Sequence, residues 1–565
     1  QRVILYLLVS SSFFIGLTPF LFYRLADGLA LSQIQNWAQY VFALAALSIA
    51  TLLVPGIILG MIFPFTLKLI QSSNRSIGSS LGNWISLNLI GGITGSILAG
   101  FVFISFFGVL YGIFLLAVLY PVAALLLSDS RLRPAYRALA VGAPVLVALY
   151  FTTITDPLHL NPEKNEVLLE QYQSGYGTTS VIKSHSPHFP KNFDDLFIRL
   201  NNYYTLGGTG SIANEKRQAH LPLLLHPNPE SVYILGMGTG LTAGAALDHP
   251  LQRLVVAEIN PDVIQASQDY FREFNNGLFA DPRVQVVSRD GRTYLHGTAE
   301  TYDVIIGDLY NPTTRGISNL YTREHFQNVK DHLREDGLFA QWLPLYQLSE
   351  EDFSIITGTF LEVFPDATVW RGNFLADKPV LALVSGDNLS FDTMRQNIEA
   401  LSQRVEDEEL IDLLVSTKGL GILTINPSSK EQLSAILPDL IESIPYTFYA
   451  GQLSQEQYAD TTINRDDFPI VEYLSPKNRS FEYAADSSFL TGHALNEFYN
   501  ALATTQGNDS VLEDLTEQER EYVRAGNVYY KSVLFEFDAI LANAAEPRIK
   551  SQEYLAEYLN SIGLD

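Results

Sequence analysis

The sequence of 565 residues contains no cysteine and is poor in basic side chains, with 36 Lys and Arg against 61 Asp and Glu. The absence of cysteine excludes disulfide scaffolds, Cys-ligated zinc, thiol nucleophiles and Cys-bound iron–sulfur clusters. The ten histidines show no metal-ligand spacing such as HExxH, so we predict no metal site. The acidic excess repels a phosphate backbone, so nucleic acid is not an expected partner.

The charge is divided unevenly along the chain. Residues 1–155 hold seven Lys or Arg and two Asp, a net charge of +5, which leaves a net charge of −30 on the remainder. The chain therefore joins an apolar, slightly basic block to a strongly acidic one.

The basic block contains all the long apolar runs. A membrane-spanning helix needs about 20 apolar residues, and five such stretches occur, at 3–23, 38–67, 84–107, 109–128 and 137–154. A signal peptide has only one short apolar core. We therefore predict that residues 1–155 form about five transmembrane helices with the lipid bilayer as partner, in a bacterial inner membrane. The sequence does not begin with methionine, which is compatible with a partial chain preceded by further helices.

The acidic remainder shows strands that alternate with helices. Residues 156–230 are predicted to be a small β-rich part, since 165–225 alternate in β fashion. Helical patterns at 262–273 and 322–334 separate short strands, which predicts a parallel, doubly wound α/β domain over 231–390. The candidate strands are 232–236, 254–258, 284–287, 303–308, 338–342 and 379–384.

The C-terminal part divides into two further regions. Residues 391–480 are predicted to be an α/β appendage, and 481–565 a helical region with helices at 493–504, 515–543 and 550–561. Tyr522, Tyr529, Val533 and Phe537 fall at helical spacing in the long helix. This region is either a helical cap on the α/β domain or a docking surface for membrane-protein partners.

Chemistry-bearing residues follow the predicted strands. The first strand runs into Gly236, Met237, Gly238, Thr239 and Gly240, where glycines permit a tight turn and a close approach of backbone to ligand. Three carboxylates, Glu258, Asp290 (followed by Gly291) and Asp308, come at the ends of the next three strands, so they face one crevice. Glu258 is able to accept hydrogen bonds from ribose hydroxyls. Alternatively, Glu258 is a surface acid and Asp290 a turn former.

The run from His220 to Tyr346 resembles the spermidine synthase (polyamine aminopropyltransferase) family, in the subtype fused to transporter-like membrane helices. The resemblance rests on HLPLLLHPNPESVYILGMGTG, VVAEINPDVI, DPRVQVVSRDGRTYL, YDVIIGDLYNP and REDGLFAQWLPLY, with NLIGGITGSILAGF in the membrane block and TINRDDFPIVEY at 462–473. It implies a Rossmann-like, class I methyltransferase fold after a small β-domain. It also implies decarboxylated S-adenosylmethionine, or S-adenosylmethionine itself, as ligand.

The resemblance also implies roles for individual residues. Gly236, Gly238 and Gly240 would line the sulfonium and the ribose, Glu258 would hold the ribose hydroxyls, and Asp290 with Gly291 would meet the adenine. Asp308 matches the first acid of the family's active-site motif and would be the general base. Tyr310, Asn311 and Gln341 are placed beside it as candidate catalytic residues. Trp342 is either a neighbour of the substrate or a core residue.

This sequence departs from the family where the amine should bind. Asn311 replaces the second acid of the motif, Thr239 replaces an Asp of the glycine loop, and Asn214, Glu215 and Lys216 replace the usual Tyr-His-Glu segment. Fewer acids weaken the binding of a cationic amine. Thr239 is also compatible with a donor that keeps its carboxylate.

Three functions remain open from the sequence. The first is a membrane-anchored aminopropyltransferase-like enzyme, the second a catalytically degenerate subunit that assembles with membrane proteins, and the third a transporter of polyamines or another solute. The basic residues of the membrane block fall mostly on one side, which the positive-inside rule makes cytoplasmic. Five spans then place the acidic part outside, whereas S-adenosyl donors are cytosolic, so the side of the membrane stays undecided.

Overall fold

The computed structural model divides the chain into two compact units. One comprises Gln1–Lys183 with Arg199–Thr205, and the other Ser184–Ile198 with Leu206–Asp565. The structure describes residues 2–26, 37–71, 77–127, 134, 138, 142, 160–185, 194–202, 204–312, 314–386, 389–405, 441–479, 490–504, 510–513, 515–542 and 544–563.

The first unit begins with long apolar helices. Helices α1 to α4 are Arg2–Leu25, Trp37–Gln71, Ile77–Leu98 (continued by a π-helical turn, Ala99–Phe103) and Ile104–Leu126. Gly108, at a φ of +72°, interrupts the last of them where the sequence predicts a boundary between spans. Among the described residues, four stretches are long and apolar enough to cross a membrane: Arg2–Leu25, Ala38–Leu69, Leu81–Phe103 and Phe106–Leu126. The predicted fifth span, 137–154, lies outside the described residues apart from position 142 and position 138.

Packing within these helices is uneven. Helix α1 contacts α2 and α4, and Ile4, Leu5, Leu8, Val9 and Ala124 form a small buried cluster there. On α3, by contrast, large apolar side chains such as Leu89 and Ile93 are exposed.

Four short strands precede the second half of the chain: β1 Val167–Ser174, β2 Gly177–Ser184, β3 Asp195–Leu200 and β4 Tyr204–Gly208. β1 and β2 form an antiparallel hairpin. The β pattern predicted as far as residue 225 is wrong at its end, because Ile212–Leu225 is a helix, α5. Its Ala, Glu, Lys, Arg, Gln and Leu residues favour a helix, and its last ten residues are buried.

The second unit is built on an eight-stranded sheet. Its strands are β5 Ser231–Leu235, β6 Arg253–Glu258, β7 Val284–Ser288, β8 Tyr302–Gly307, β9 Leu333–Pro344, β10 Asp366–Arg371, β11 Val380–Ser385 and β12 Tyr449–Ser454. They lie in the order β12-β10-β11-β9-β8-β5-β6-β7. β5, β8 and β11 are buried along their whole length, as expected of strands covered on both faces.

The prediction of a wholly parallel sheet is wrong. β9, β8, β5, β6 and β7 are parallel neighbours. β11, β10 and β12 pair antiparallel. β10 and β11 follow each other closely in the chain, and antiparallel neighbours need no crossover helix. The domain is Rossmann-like, of the methyltransferase type, with a mixed sheet.

Helices α6 to α16 complete the second unit. Their bounds are Leu241–Ala246, Pro261–Tyr270, Gly291–Gly297, Arg323–Asp331, Glu350–Val363, Phe391–Ser402, Ile470–Arg479, Gly492–Thr504, Ser510–Glu513, Glu517–Ala542 and Ala545–Ser561. Residues 406–440 of the predicted appendage lie outside the described residues.

The long C-terminal helix α15 (Glu517–Ala542) packs onto the sheet. It contacts α13, α16 and the edge strand β12. Tyr522, Tyr529 and Val533, predicted to form a stripe, are buried. The C-terminal helices are therefore a cap on the second unit.

Candidate active site

The glycine loop begins where β5 ends. The amide of Gly236 donates to the carbonyl of Ala257 at 2.9 Å, and the amide of Gly240 to that of Met237 at 2.8 Å. Gly236, Gly238 and Gly240 all have positive φ angles. A Cβ on Gly240 would lie only 2.8 Å from Ser267 Oγ. Both its backbone conformation and its surroundings thus require glycine.

Glu258 ends β6 and faces this loop. Its side chain is 8% exposed, and its two oxygens accept from the Met237 amide at 3.1 Å and the Asn260 amide at 2.9 Å. Burial raises the pKa of Glu258 despite these hydrogen bonds. The surface-acid alternative is therefore wrong. Backbone hydrogen bonds from Gly238 and Ile259 also act on this carboxylate and lower its pKa in part.

Asp308 follows β8 and lies against the first glycine of the loop. A Cβ on Gly236 would be 3.4 Å from the Asp308 Cβ. The Leu309 amide donates to Asp308 Oδ1 at 2.7 Å. Burial, followed by the negative charges of Glu215 and Glu258, raises the pKa of Asp308 to about 7. A carboxyl with such a pKa suits a general base near neutral pH.

Glu215 is a site residue that the sequence did not reveal. It lies in the first turn of α5 and accepts from the Gly208 amide at 2.9 Å and from Ser211 Oγ at 2.6 Å. Thr239 Oγ1 of the glycine loop donates to its other oxygen at 2.5 Å. Burial raises the pKa of Glu215 to about 7, and its hydrogen bonds lower it in part.

Asp290 and Gly291 lie at the same edge of the sheet, beyond β7. The parallel order β8-β5-β6-β7 places the carboxyl ends of all four strands together. Asp290 caps helix α8, accepting from the Thr293 amide at 2.7 Å. The carbonyl of Gly291 accepts from the Tyr233 hydroxyl at 2.7 Å. Asp290 thus has a structural role as a helix cap, and its contact with adenine stays a prediction.

The other candidate catalytic residues are buried around Asp308. The Tyr310 hydroxyl donates to the Leu235 carbonyl at 2.9 Å, and burial raises its pKa well above the usual value. Asn311 is also buried. Gln341 is fully buried, and its Nε2 lies 3.4 Å from the Asp308 carbonyl. The catalytic roles of these three residues stay predictions.

Trp342 is a core residue. It is fully buried, and its Nε1 donates to the carbonyl of Gln218 at 3.0 Å. The core-packing alternative is confirmed.

The segment after Asp308 is held by the 462–473 stretch. The Glu472 carboxylate accepts from the Gly316 amide at 2.9 Å and from Ser318 Oγ at 2.8 Å. Asn464 Nδ2 donates to the carbonyls of Ser318 and Tyr321, both at 3.0 Å. These contacts hold the segment from Gly316 to Tyr321, which follows Asp308 in the chain, in place.

The site is acidic. Among the residues that the structure describes, no three or more His, Asp or Glu side chains are grouped so as to hold a metal ion. Glu215, Glu258 and Asp308 surround the glycine loop. Fold and site together define a Rossmann-like domain of the methyltransferase type with three carboxyl groups beside its glycine loop.

Comparison with known proteins agrees with this class. Residues 213–370 match the spermine/spermidine synthase domain. Polyamine aminopropyltransferase 1 of Aquifex aeolicus is 33% identical over 201 residues, which is 35% of this chain and 68% of that protein. The chain belongs to the polyamine aminopropyltransferase family.

Other relatives match over a shorter part. Polyamine aminopropyltransferase 1 of Hyperthermus butylicus is 36% identical over 164 residues, 28% of this chain and 56% of that protein. The chain spans about half the length of the curated relatives first matched. The solved spermidine synthase of Thermotoga maritima is 20% identical, with 47% of this chain and 88% of that chain covered and a TM-score of 0.34.

Proposed function

We propose that the second unit transfers an aminopropyl group from an S-adenosyl donor, decarboxylated S-adenosylmethionine, to an amine. The observation that carries this proposal is the set of three carboxyls, Glu215, Glu258 and Asp308, around the loop at 236–240. None of the three forms an ion pair with a Lys, Arg or His side chain of the described residues. A donor with a sulfonium and an ammonium group, and an acceptor amine, would supply the missing positive charge.

The chemistry needs one base. The acceptor nitrogen uses its lone pair to form a bond to the donor carbon next to sulfur, and the carbon–sulfur bond breaks with its electrons passing to sulfur. The leaving group is the neutral thioether methylthioadenosine. Asp308 takes the proton that the attacking amine must lose. Glu258 holds the ribose hydroxyls, and the backbone of the glycine loop faces the sulfonium side of the donor.

The binding half of the proposal is tested by replacing Glu258 with alanine. Titration calorimetry with methylthioadenosine should show binding to the wild-type chain and a loss of at least about 100-fold in affinity in Glu258→Ala. Two hydrogen bonds to a charged acceptor are lost, each contributing about 1.5–3 kcal/mol.

Glu335→Gln, on an exposed residue, serves as control and should leave the affinity unchanged. Failure of the wild-type chain to bind methylthioadenosine, decarboxylated S-adenosylmethionine and S-adenosylmethionine alike would contradict the proposal. That result would favour the degenerate assembly subunit instead.

We further propose that the first unit anchors the protein in a membrane, with the acidic unit in the cytoplasm. Four helices of the described residues have the necessary length and apolar character. Apolar side chains such as Leu89 on α3 and Phe101 in the π-helical turn that follows it are exposed. A reporter fused after Asp565 should report the cytoplasmic side, where the donor is available. A reporter on the outer side would contradict this orientation.

A further inference from the structure

Glu215 connects α5 to the glycine loop through a hydrogen bond from Thr239. The glycine pattern of the loop does not by itself predict this contact. Its Oε1 accepts two hydrogen bonds, from Gly208 and Ser211, whereas its Oε2 accepts one, from Thr239. Thr239 is 1% exposed, so its hydroxyl is fixed toward the carboxylate. Oε2 therefore keeps a free lone pair beside the loop.

The surroundings of Glu215 are negative. Glu215 raises the pKa of Asp308 by its charge, and Asp195 acts on Glu215 in the same direction. Asp195 itself is engaged elsewhere, because it accepts from the Gly210 amide at 2.7 Å and from Thr209 Oγ1 at 3.2 Å. Asp308 lies next to Gly236 and Glu215 is bonded to Thr239, so both acids are neighbours of residues 236–240, and a cation bound near them relieves their repulsion.

We propose that Glu215, positioned through its hydrogen bond with Thr239, is a specificity-determining residue that selects donors without a carboxylate. This inference rests on the proposed function and extends it. S-adenosylmethionine carries an ammonium and a carboxylate at the end of its side chain, and the decarboxylated compound carries the ammonium alone. Next to Glu215 the ammonium is attracted and the carboxylate is repelled. The threonine in the loop is therefore not a sign of a carboxylate-bearing donor, since the acid next to it comes from another element.

Selection between the two donors also requires repulsion between Glu215 and the carboxylate of S-adenosylmethionine. A site that merely attracts an ammonium binds both donors, because both have one. Rejection of S-adenosylmethionine requires an unfavourable contact with its carboxylate, which a fixed like charge supplies. Glu215 is fixed by three donors and supplies that charge when ionised.

The test measures three ligands on three proteins. Dissociation constants of methylthioadenosine, decarboxylated S-adenosylmethionine and S-adenosylmethionine are measured by calorimetry for the full chain, Glu215→Gln and Glu335→Gln. The measurement is made at about pH 8.5, where a carboxyl with the raised pKa of Glu215 is ionised. We expect the wild-type chain to prefer the decarboxylated donor by at least about tenfold, and Glu215→Gln to reduce this preference to about twofold or less.

Methylthioadenosine separates the possible outcomes. It has neither an ammonium nor a carboxylate, so its affinity should be equal in all three proteins, which also shows that Glu215→Gln is folded. An unchanged donor preference in Glu215→Gln, with methylthioadenosine still bound, would overturn the role of Glu215 and leave the proposed function intact. If the wild-type chain binds none of the three ligands, the proposed function and this inference both fail.

Discussion

Replacing Asp308 with asparagine lowers the turnover number by about a thousandfold and leaves the affinity for methylthioadenosine unchanged, since a general base contributes roughly 10²–10⁴ to a rate. Asparagine has the shape of aspartate but cannot accept the proton of the amine. The Asp308 side chain lies next to Gly236, whereas the nucleoside is proposed to depend on Glu258. Steady-state kinetics with calorimetry separate the two effects.

The pH dependence has a definite sign. Because burial and neighbouring acids raise the pKa of Asp308 to about 7, the base is protonated and inactive below that pH and becomes active above it. The turnover number should therefore rise with pH through about 7. Glu215 titrates in the same range, so the observed step belongs to the coupled pair. An Asp308→Asn protein that keeps wild-type turnover would contradict the assignment of the base.

Replacing Arg371 with alanine destabilises the second unit by about 4 kcal/mol, because it leaves a cavity and several unsatisfied buried acceptors. Arg371 ends β10 and is fully buried. Its guanidinium donates to the carbonyls of Thr447 at 2.9 Å and Tyr449 at 2.6 Å, and also to the Asn527 side chain. Burial lowers its pKa to about 10, so the group is still charged at neutral pH.

The expected loss is local as well as global. Asn527 lies on α15, so hydrogen exchange should accelerate most along Glu517–Ala542, and the midpoint of thermal unfolding should fall. Arg395→Ala is the matched control: Arg395 pairs with Asp392 near the surface, and such pairs contribute about 0–1 kcal/mol. Equal effects of the two substitutions would show that Arg371 does not fasten the C-terminal helices.

The part of the site that follows parallel strands could be predicted from the sequence. The glycine loop, Glu258 and Asp308 each come directly after a β-branched strand, and parallel neighbours carry their carboxyl ends to one edge. The position of a residue at the end of a predicted strand is then sufficient to place it at this edge. The structure confirms this placement for the glycine loop, Glu258 and Asp308.

Glu215 could not be predicted in the same way. Glu215 lies before the first strand of the eight-stranded sheet, in a stretch whose alternation predicts β structure. It reaches the loop only because α5 packs there. The sequence marks Glu215, together with Asn214 and Lys216, only as a departure from a family motif and not as a site residue. Its proximity to Thr239 is a tertiary contact, which no local pattern encodes.

The sequence pattern does not predict β10 and β12, for a different reason. β10 (DATVWR) and β12 (YAGQLS) are six residues long and mix polar with apolar side chains, so they lack the apolar run of a central strand. β12 is an edge strand. β10 lies between β11 and β12, and its Trp370 packs against Phe391 and Tyr449. These partners are distant in the chain, so only the complete fold buries β10.

Aminopropyl transfer to an amine at this site is tested most directly by one measurement. The measured quantity is the release of methylthioadenosine from decarboxylated S-adenosylmethionine. The purified full chain is incubated with the donor and a series of diamines, and the nucleoside and the aminopropylated amine are quantified by mass spectrometry. Methylthioadenosine should be released only when an amine is present, and in an amount equal to that of the aminopropylated product. The release should be abolished in Asp308→Asn. Bound donor without release for any amine would contradict the proposed transfer.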